Sequence, residues 1–135
     1  MQLILLIPKI SQMSSLMNLK TFTDIRGNLT VIEKIIPFEI KRIFYIYGVD
    51  NSSRGYHRHK KTVQAAIAIQ GKCRILSKSG DNTPLQEYLL DSPSECLILQ
   101  PEDFHWMDNF SKDCILMVLA SEFYDSNDYI YDPYN

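Results

Sequence analysis

His57 and His59 stand two residues apart in Arg54-Gly55-Tyr56-His57-Arg58-His59-Lys60-Lys61, and the whole chain has only three histidines. On a β-strand, residues two apart point to the same face. Two imidazoles on one face, with Arg54 beside them, can hold an anion and move protons near neutral pH. The third histidine, His105, lies in Pro101-Glu102-Asp103-Phe104-His105-Trp106-Met107-Asp108-Asn109. So sparing and so grouped a use of histidine points to chemistry. A purely structural role fits less well, because two imidazoles on one buried strand face are costly to desolvate.

The segments that must position these residues read as short strands with turns between them. Leu29–Ile35 alternates and is β-branched, after a turn at Asp24-Ile25-Arg26-Gly27-Asn28. Ile40–Tyr47 is strand-like, and Gly48–Gly55 is a polar loop. Thr62–Gln70 and Lys72–Ser77 read as a hairpin turning near Gln70-Gly71-Lys72. Leu85–Leu90 and Cys96–Leu99 are further strands, closed by prolines. Cys114–Ala120 is a continuous apolar run, as expected of a strand buried on both faces. The tail, Ser121–Asn135, reads as a surface segment or dimer arm outside the core. Eight or nine strands at a spacing near ten residues, with no sustained 3.6-residue period, predict an all-β fold. The architecture expected is a single-domain antiparallel β-sandwich or jelly roll.

Composition narrows the function classes. One domain is the size prior for 135 residues. Residues 1–16 begin with a short apolar run that stops at Pro8 and has no basic segment before it. They read as an N-terminal extension, loosely ordered, with the domain proper spanning 17–135. No segment reaches the length of a membrane span, and no dinucleotide or P-loop glycine pattern occurs. Twelve Lys/Arg against four Asp/Glu lie between Lys20 and Lys78, whereas twelve acids face one lysine from Ser79 onward. Either the first half forms a phosphate-binding basic face, or the halves interleave and their charges mix. A net charge of −2 argues against wholesale nucleic-acid binding. Cys73, Cys96 and Cys114 are far apart, which predicts buried free thiols in a reducing cytoplasm.

The spacing His57-x-His59-x4-Gln64-x6-Gly71 resembles most of the first cupin motif. His105-x3-Asn109 resembles the end of the second, with Asp103 where glycine is usual. In that motif the position of Gln64 is commonly a glutamate that binds metal. A neutral amide is a much poorer ligand for a divalent ion. Three histidines alone can hold zinc, so a metal site and a metal-free acid–base site both stay open on spacing alone.

Longer stretches resemble the WxcM-like cupin family of sugar 3,4-ketoisomerases more specifically. They are Asp24–Glu33, Ile40–Tyr47, Arg54–Lys61, Pro101–Trp106 and Met117–Ile130, so the likeness spans about Leu19 to Ile130. The family often has alanine where Arg58 stands; an outward-pointing residue there leaves the site undisturbed. The resemblance implies a homodimeric jelly-roll cupin without metal or other cofactor. Its substrate would be dTDP-4-oxo-6-deoxy-glucose, and its product a dTDP-3-oxo-6-deoxyhexose, a precursor of 3-amino sugars for surface polysaccharides.

That reaction suits the residues. Moving a carbonyl from C4 to C3 needs a base for the acidic C3 proton, an acid, and stabilisation of an enediolate. By matching position, His59 is the expected base and His57 its partner. Tyr45 is either a hydrogen-bond partner of a sugar oxygen or a core aromatic. Arg26 and Arg54 are candidates for the diphosphate, since guanidinium grips phosphate in two-pronged fashion; Arg26 could equally be a surface charge. His105 is expected to line the pocket or to be a satisfied half-buried histidine. Trp106 either stacks on thymine or belongs to the core or rim. Lys60-Lys61 reads as a solvated loop end. The alternatives to the isomerase are a metal-dependent cupin enzyme, such as a dioxygenase, and a non-catalytic sugar-nucleotide binding module.

Overall fold

The computed structural model describes residues 13–135. The expected extension therefore lies mostly outside the described residues. Within them, Ser14 is buried and its hydroxyl donates to Gln86 Oε1 at 2.9 Å. The first strand, β1 (Ser15–Asn18), takes in the last two residues read as extension.

Eleven more strands follow: β2 (Lys20–Asp24), β3 (Gly27–Val31), β4 (Arg42–Tyr47), β5 (Arg54–His59), β6 (Gln64–Gln70), β7 (Cys73–Lys78), β8 (Gln86–Leu90), β9 (Glu95–Leu99), β10 (Phe104–Asp108), β11 (Ile115–Ala120) and β12 (Tyr129–Ile130). One five-stranded sheet runs β1-β9-β6-β11-β4; the other runs β12-β5-β10-β7-β8. All registered pairs are antiparallel. This is the predicted all-β sandwich of jelly-roll type. No helix among the described residues is long and apolar enough to cross a membrane.

The core lies between the sheets. Ile75, Leu90, Leu97 and Leu116 are fully buried there. β11 is an inner strand, between β6 and β4, and its residues on both faces are buried or half-buried, as its continuous apolar run predicts. The three cysteines are free and buried. The two charge-biased halves interleave: Arg74 pairs with Asp108 at 2.6 Å and with Glu87 at 3.3 Å. Mixing, and not a segregated basic face, is therefore the outcome.

Three expectations about elements need correction. β6 and β7 do not form a hairpin. Gly71 (φ +68°) does turn the chain, but it carries it from one sheet to the other. The same glycine permits either, and only the strands' other partners decide. The strand expected at Leu29–Ile35 stops at Val31, and Lys34 adopts a left-handed φ of +56° ahead of Pro37. The tail is no bystander: Tyr129↔His59 and Ile130↔Arg58 pair β12 to β5.

Candidate active site

β5 and β10 place the histidines. His57 and His105 are direct partners across the β5–β10 ladder. The strands approach closely because residue 55 is glycine. A Cβ there would come within 3.0 Å of the His105 carbonyl oxygen and the Trp106 Cα, and the backbone at Gly55 has φ +98°. Tyr56 follows at φ +64°, a conformation uncommon outside glycine and asparagine. Strain of this kind beside a bulge re-aims the next side chain. Here the register shifts between His105 and Trp106.

The three imidazoles converge on the barrel interior. Ring centroids are 4.9 Å apart for His57 and His59, 5.0 Å for His57 and His105, and 6.2 Å for His59 and His105. Their pocket is lined by Arg54, His57, Gln64, His105 and Tyr129, with Phe44 and Ile46 among its apolar walls. His59 lies behind this group, 2% exposed.

A fourth polar group comes from the tail. The carboxylate of Asp128, on a single 3-10 turn (Ser126–Asp128), lies 3.1 Å from His59 Nδ1. The Thr62 hydroxyl also donates to Oδ2, at 2.5 Å, and the Lys61 amide donates to Oδ1 at 2.8 Å. Burial alone would raise this carboxyl. The bonds from Thr62, Lys61 and His59 outweigh it, so Asp128 sits below the ordinary aspartate range. An ionised Asp128 only accepts hydrogen bonds, so His59 Nδ1 carries the proton and Nε2 carries the lone pair. His59 Nε2 is buried and has no partner in the protein.

His105 is fixed in the same sense. Its Nδ1 lies 2.9 Å from the Asp103 carbonyl oxygen, which can only accept. Its Nε2 is therefore a lone-pair acceptor, also buried and unpartnered. Burial holds the rings neutral. His59 is pushed down to about 4, by burial first and then by the neighbouring His57, against the pull of Asp128. His105 is pushed down to about 3, chiefly by burial, and burial also lowers His57. Two unpartnered imidazole nitrogens, one on the pocket-lining His105 and one on His59 behind it, can take a carbon-bound proton and accept from a hydroxyl. The ring of Tyr129 is 4.5 Å from His59 and 4.8 Å from His57, centroid to centroid, so a phenol is also at the site.

Three expected residues lie elsewhere. Tyr45 is 63% exposed and stacks on Tyr47 on the outer face of β4, while its neighbours Phe44 and Ile46 face the pocket. Trp106 follows His105 on one strand, so alternation turns it outward, where it stacks on Tyr56 at 5.7 Å. Arg26 sits at the tip of the β2–β3 hairpin, bound to Asp24 at 2.5 Å, and does not line the histidine pocket. Arg54 does line it. Sequence reading missed Asp128 and Tyr129. The one signal available was two polar residues next to apolar Ile130 in an otherwise solvated tail.

Gln64 is buried and faces the same pocket through its neutral amide. Among the described residues, no group of three His, Cys, Asp or Glu side chains has the arrangement to hold a metal ion. With the neutral amide of Gln64 where a carboxylate would be needed, this donor set does not fit a resident divalent metal.

A jelly roll with three inward imidazoles and one buried carboxylate beside them defines a cupin. The family profile described as WxcM-like, C-terminal (FdtA) matches residues 12–135. A TDP-4-oxo-6-deoxy-alpha-D-glucose-3,4-oxoisomerase of Aneurinibacillus thermoaerophilus is 43% identical over 120 residues, covering 87% of this chain and 85% of that protein. A 3,4-ketoisomerase variant, QdtA from Thermoanaerobacterium thermosaccharolyticum, was solved in complex with TDP-4-keto-6-deoxyglucose. It superposes with a TM-score of 0.83 at 41% identity, over 88% of this chain and 87% of that one. A 4-keto-6-deoxy sugar epimerase of Streptomyces spheroides shares the fold at 16% identity, with a TM-score of 0.74 over 86% of this chain and 67% of that one. The chain belongs to the WxcM-like cupin family of sugar 3,4-ketoisomerases, and it is an isomerase.

Proposed function

We propose that this chain converts dTDP-4-oxo-6-deoxy-glucose to a dTDP-3-oxo-6-deoxyhexose. The observation that carries the reading is the His59–Asp128 pair, with Nε2 of His59 left without a protein partner just behind the histidine pocket. His59 Nε2 takes the proton from C3. The C–H electron pair becomes the C3–C4 double bond, and the carbonyl electrons move to O4. The enediolate then takes up a proton at C4 from the imidazolium, whose N–H can exchange with solvent in the meantime. The O3 hydroxyl gives up its proton as O3 becomes the carbonyl, and O4 ends as a hydroxyl. One proton moves from carbon to carbon and one from oxygen to oxygen, so nothing is gained or lost.

Asp128 stabilises the imidazolium that forms on His59 and keeps Nε2 aimed inward. His57, between the other two rings, is our choice for the oxygen-to-oxygen transfer. His105 Nε2 accepts from a sugar hydroxyl. Arg54, at the pocket wall, is our choice for the diphosphate. The product suits a later amination at C3, as 3-amino sugar synthesis requires.

The assembly we infer is a homodimer. Ile43, Tyr45 and Tyr47 form an exposed apolar row on the outer face of β4, and Phe22, Ile25 and Leu29 are exposed on the β2–β3 hairpin. A two-stranded ribbon is marginal on its own, and contiguous apolar surface of this kind favours a partner. The free thiols suit a reducing compartment such as the cytoplasm.

The deciding experiment is incubation with dTDP-4-oxo-6-deoxy-glucose in deuterated water, followed by NMR. A migrated carbonyl with deuterium at C4 of the product, or at C3 of recovered substrate, supports the proposal. No migration and no exchange defeats it, and stoichiometric zinc or iron in the purified protein would favour the metal-dependent reading.

A further inference from the structure

Arg58 separates the two site histidines and points the other way, to the outer face of β5. Its side chain is only 14% exposed. The guanidinium carbon lies 4.1 Å from the centroid of the Tyr134 ring, and a terminal nitrogen lies 3.6 Å from Glu102 Oε2. Tyr134 in turn donates its hydroxyl to the Glu102 carbonyl at 2.8 Å. The Glu102 amide donates to the His59 carbonyl, also at 2.8 Å. These contacts close a ring from Arg58 through the tail and the Pro101–Asp103 turn back to the backbone of His59.

The tail so held is the segment that carries Asp128 and Tyr129. Its far end is tied by Asn135, whose amide donates to Asp81 Oδ1 and whose carbonyl accepts from the Asn82 amide, each at 3.0 Å. Between the two ends, β12 is two residues long. So short a strand has little stability of its own. Stacking of guanidinium on an aromatic face is stronger when water is excluded, and at this site the arginine is mostly covered.

We propose that Arg58 and Tyr134 form a clasp that holds the C-terminal segment across β5, and that this clasp keeps Asp128 against His59. Arg58 is thus a positioning residue and touches no substrate. The proposal rests on the isomerase reading for its kinetic consequence, though not for its structural one.

The test compares wild type with Arg58→Ala, Arg58→Lys, Tyr134→Leu and the Arg58→Ala/Tyr134→Leu double variant. Hydrogen–deuterium exchange is read on peptides covering 125–135 and on β6 and β11. The kinetic constants kcat and KM are read on the 4-oxo sugar nucleotide. Arg58→Ala and Tyr134→Leu should speed exchange in 125–135 and leave β6 and β11 protected. Each should lower kcat by about tenfold, the scale of one or two lost contacts of this strength, with KM little changed. The double variant should be no worse than either single, because both remove the same clasp. Arg58→Lys keeps a cation over the ring but not the planar stack, and should recover only part of the loss.

Unchanged exchange in Arg58→Ala, or losses that multiply in the double variant, overturn the clasp. Tyr134 lies outside every strand, so Tyr134→Leu keeps the test open if Arg58→Ala fails to fold. Absence of turnover in wild type defeats the isomerase reading, whereas the exchange data then still decide the clasp.

Discussion

Nδ1 of His59 lies 3.1 Å from Oδ2 of Asp128, sixty-nine residues further along the chain. The carboxylate fixes which imidazole nitrogen bears the proton, and so which one is free to remove another. It also offsets part of the penalty of charging a ring that burial keeps neutral. The base and its counter-charge reach each other only because the tail returns to pair with β5.

His59→Asn should retain the fold and the binding of TDP, and lose turnover by on the order of 10²–10⁴-fold, the usual worth of a positioned general base. Steady-state kinetics beside calorimetric TDP binding checks this. Near-normal kcat would remove His59 from the chemistry.

Asp128→Asn should lower kcat by on the order of 10²-fold with KM nearly unchanged, because the amide cannot stabilise an imidazolium and can favour the wrong tautomer. Deuterium wash-in at C3 should slow in proportion. A change confined to KM would assign Asp128 to substrate binding.

Tyr45→Phe and Trp106→Phe should each leave kcat within about twofold of wild type, since both rings face away from the imidazoles and a factor of ten needs a change of about 1.4 kcal/mol. Tyr129→Phe, at the pocket itself, should lower kcat. Parallel kinetics on the three variants is the check. A large loss in Tyr45→Phe alone would mean that the outer face of β4 reaches an active site.

Acid should reduce both activity and stability. His59 is active as the neutral ring, so kcat/KM should hold from neutral pH downward and fall near pH 4, where the folded His59 takes up its proton. For stability, His59 and His105 have folded values of about 4 and about 3 against 6.5 unfolded. Between 6.5 and those values the unfolded chain binds more protons, so stability falls as pH falls. Asp103 works in the opposite direction. Burial raises it from 3.8 to about 6, so the folded state gains stability as that carboxyl protonates. The two histidines outweigh it. Urea midpoints should drop between pH 6.5 and 4, and more steeply in Asp103→Asn.

Gly55→Ala should be harmful well beyond an ordinary surface change. The added Cβ meets the backbone of His105 and Trp106 at 3.0 Å, in a conformation that alanine disfavours. Relief must separate β5 from β10, and with them His57 from His105. Thermal unfolding together with kcat should show both quantities falling.

Several features were legible in the chain. Alternation and turn spacing predicted the all-β sandwich. The two-residue interval of His57 and His59 placed both rings on one face, and alternation turns Trp106 away from any pocket that His105 enters. Tyr45 was not decidable in this way. Ile43–Tyr47 is apolar or aromatic at every position, so its pattern does not say which face meets the core.

The sequence by itself determined which side chains share a strand face, because that follows from a backbone period of two. Only the tertiary structure decided which face is the inside, that β6 and β7 part into different sheets, and that Asp128 closes on His59. Those outcomes depend on pairings between residues distant in the chain. Loop closure makes such pairings possible at many registers, and the packing of the whole core selects one.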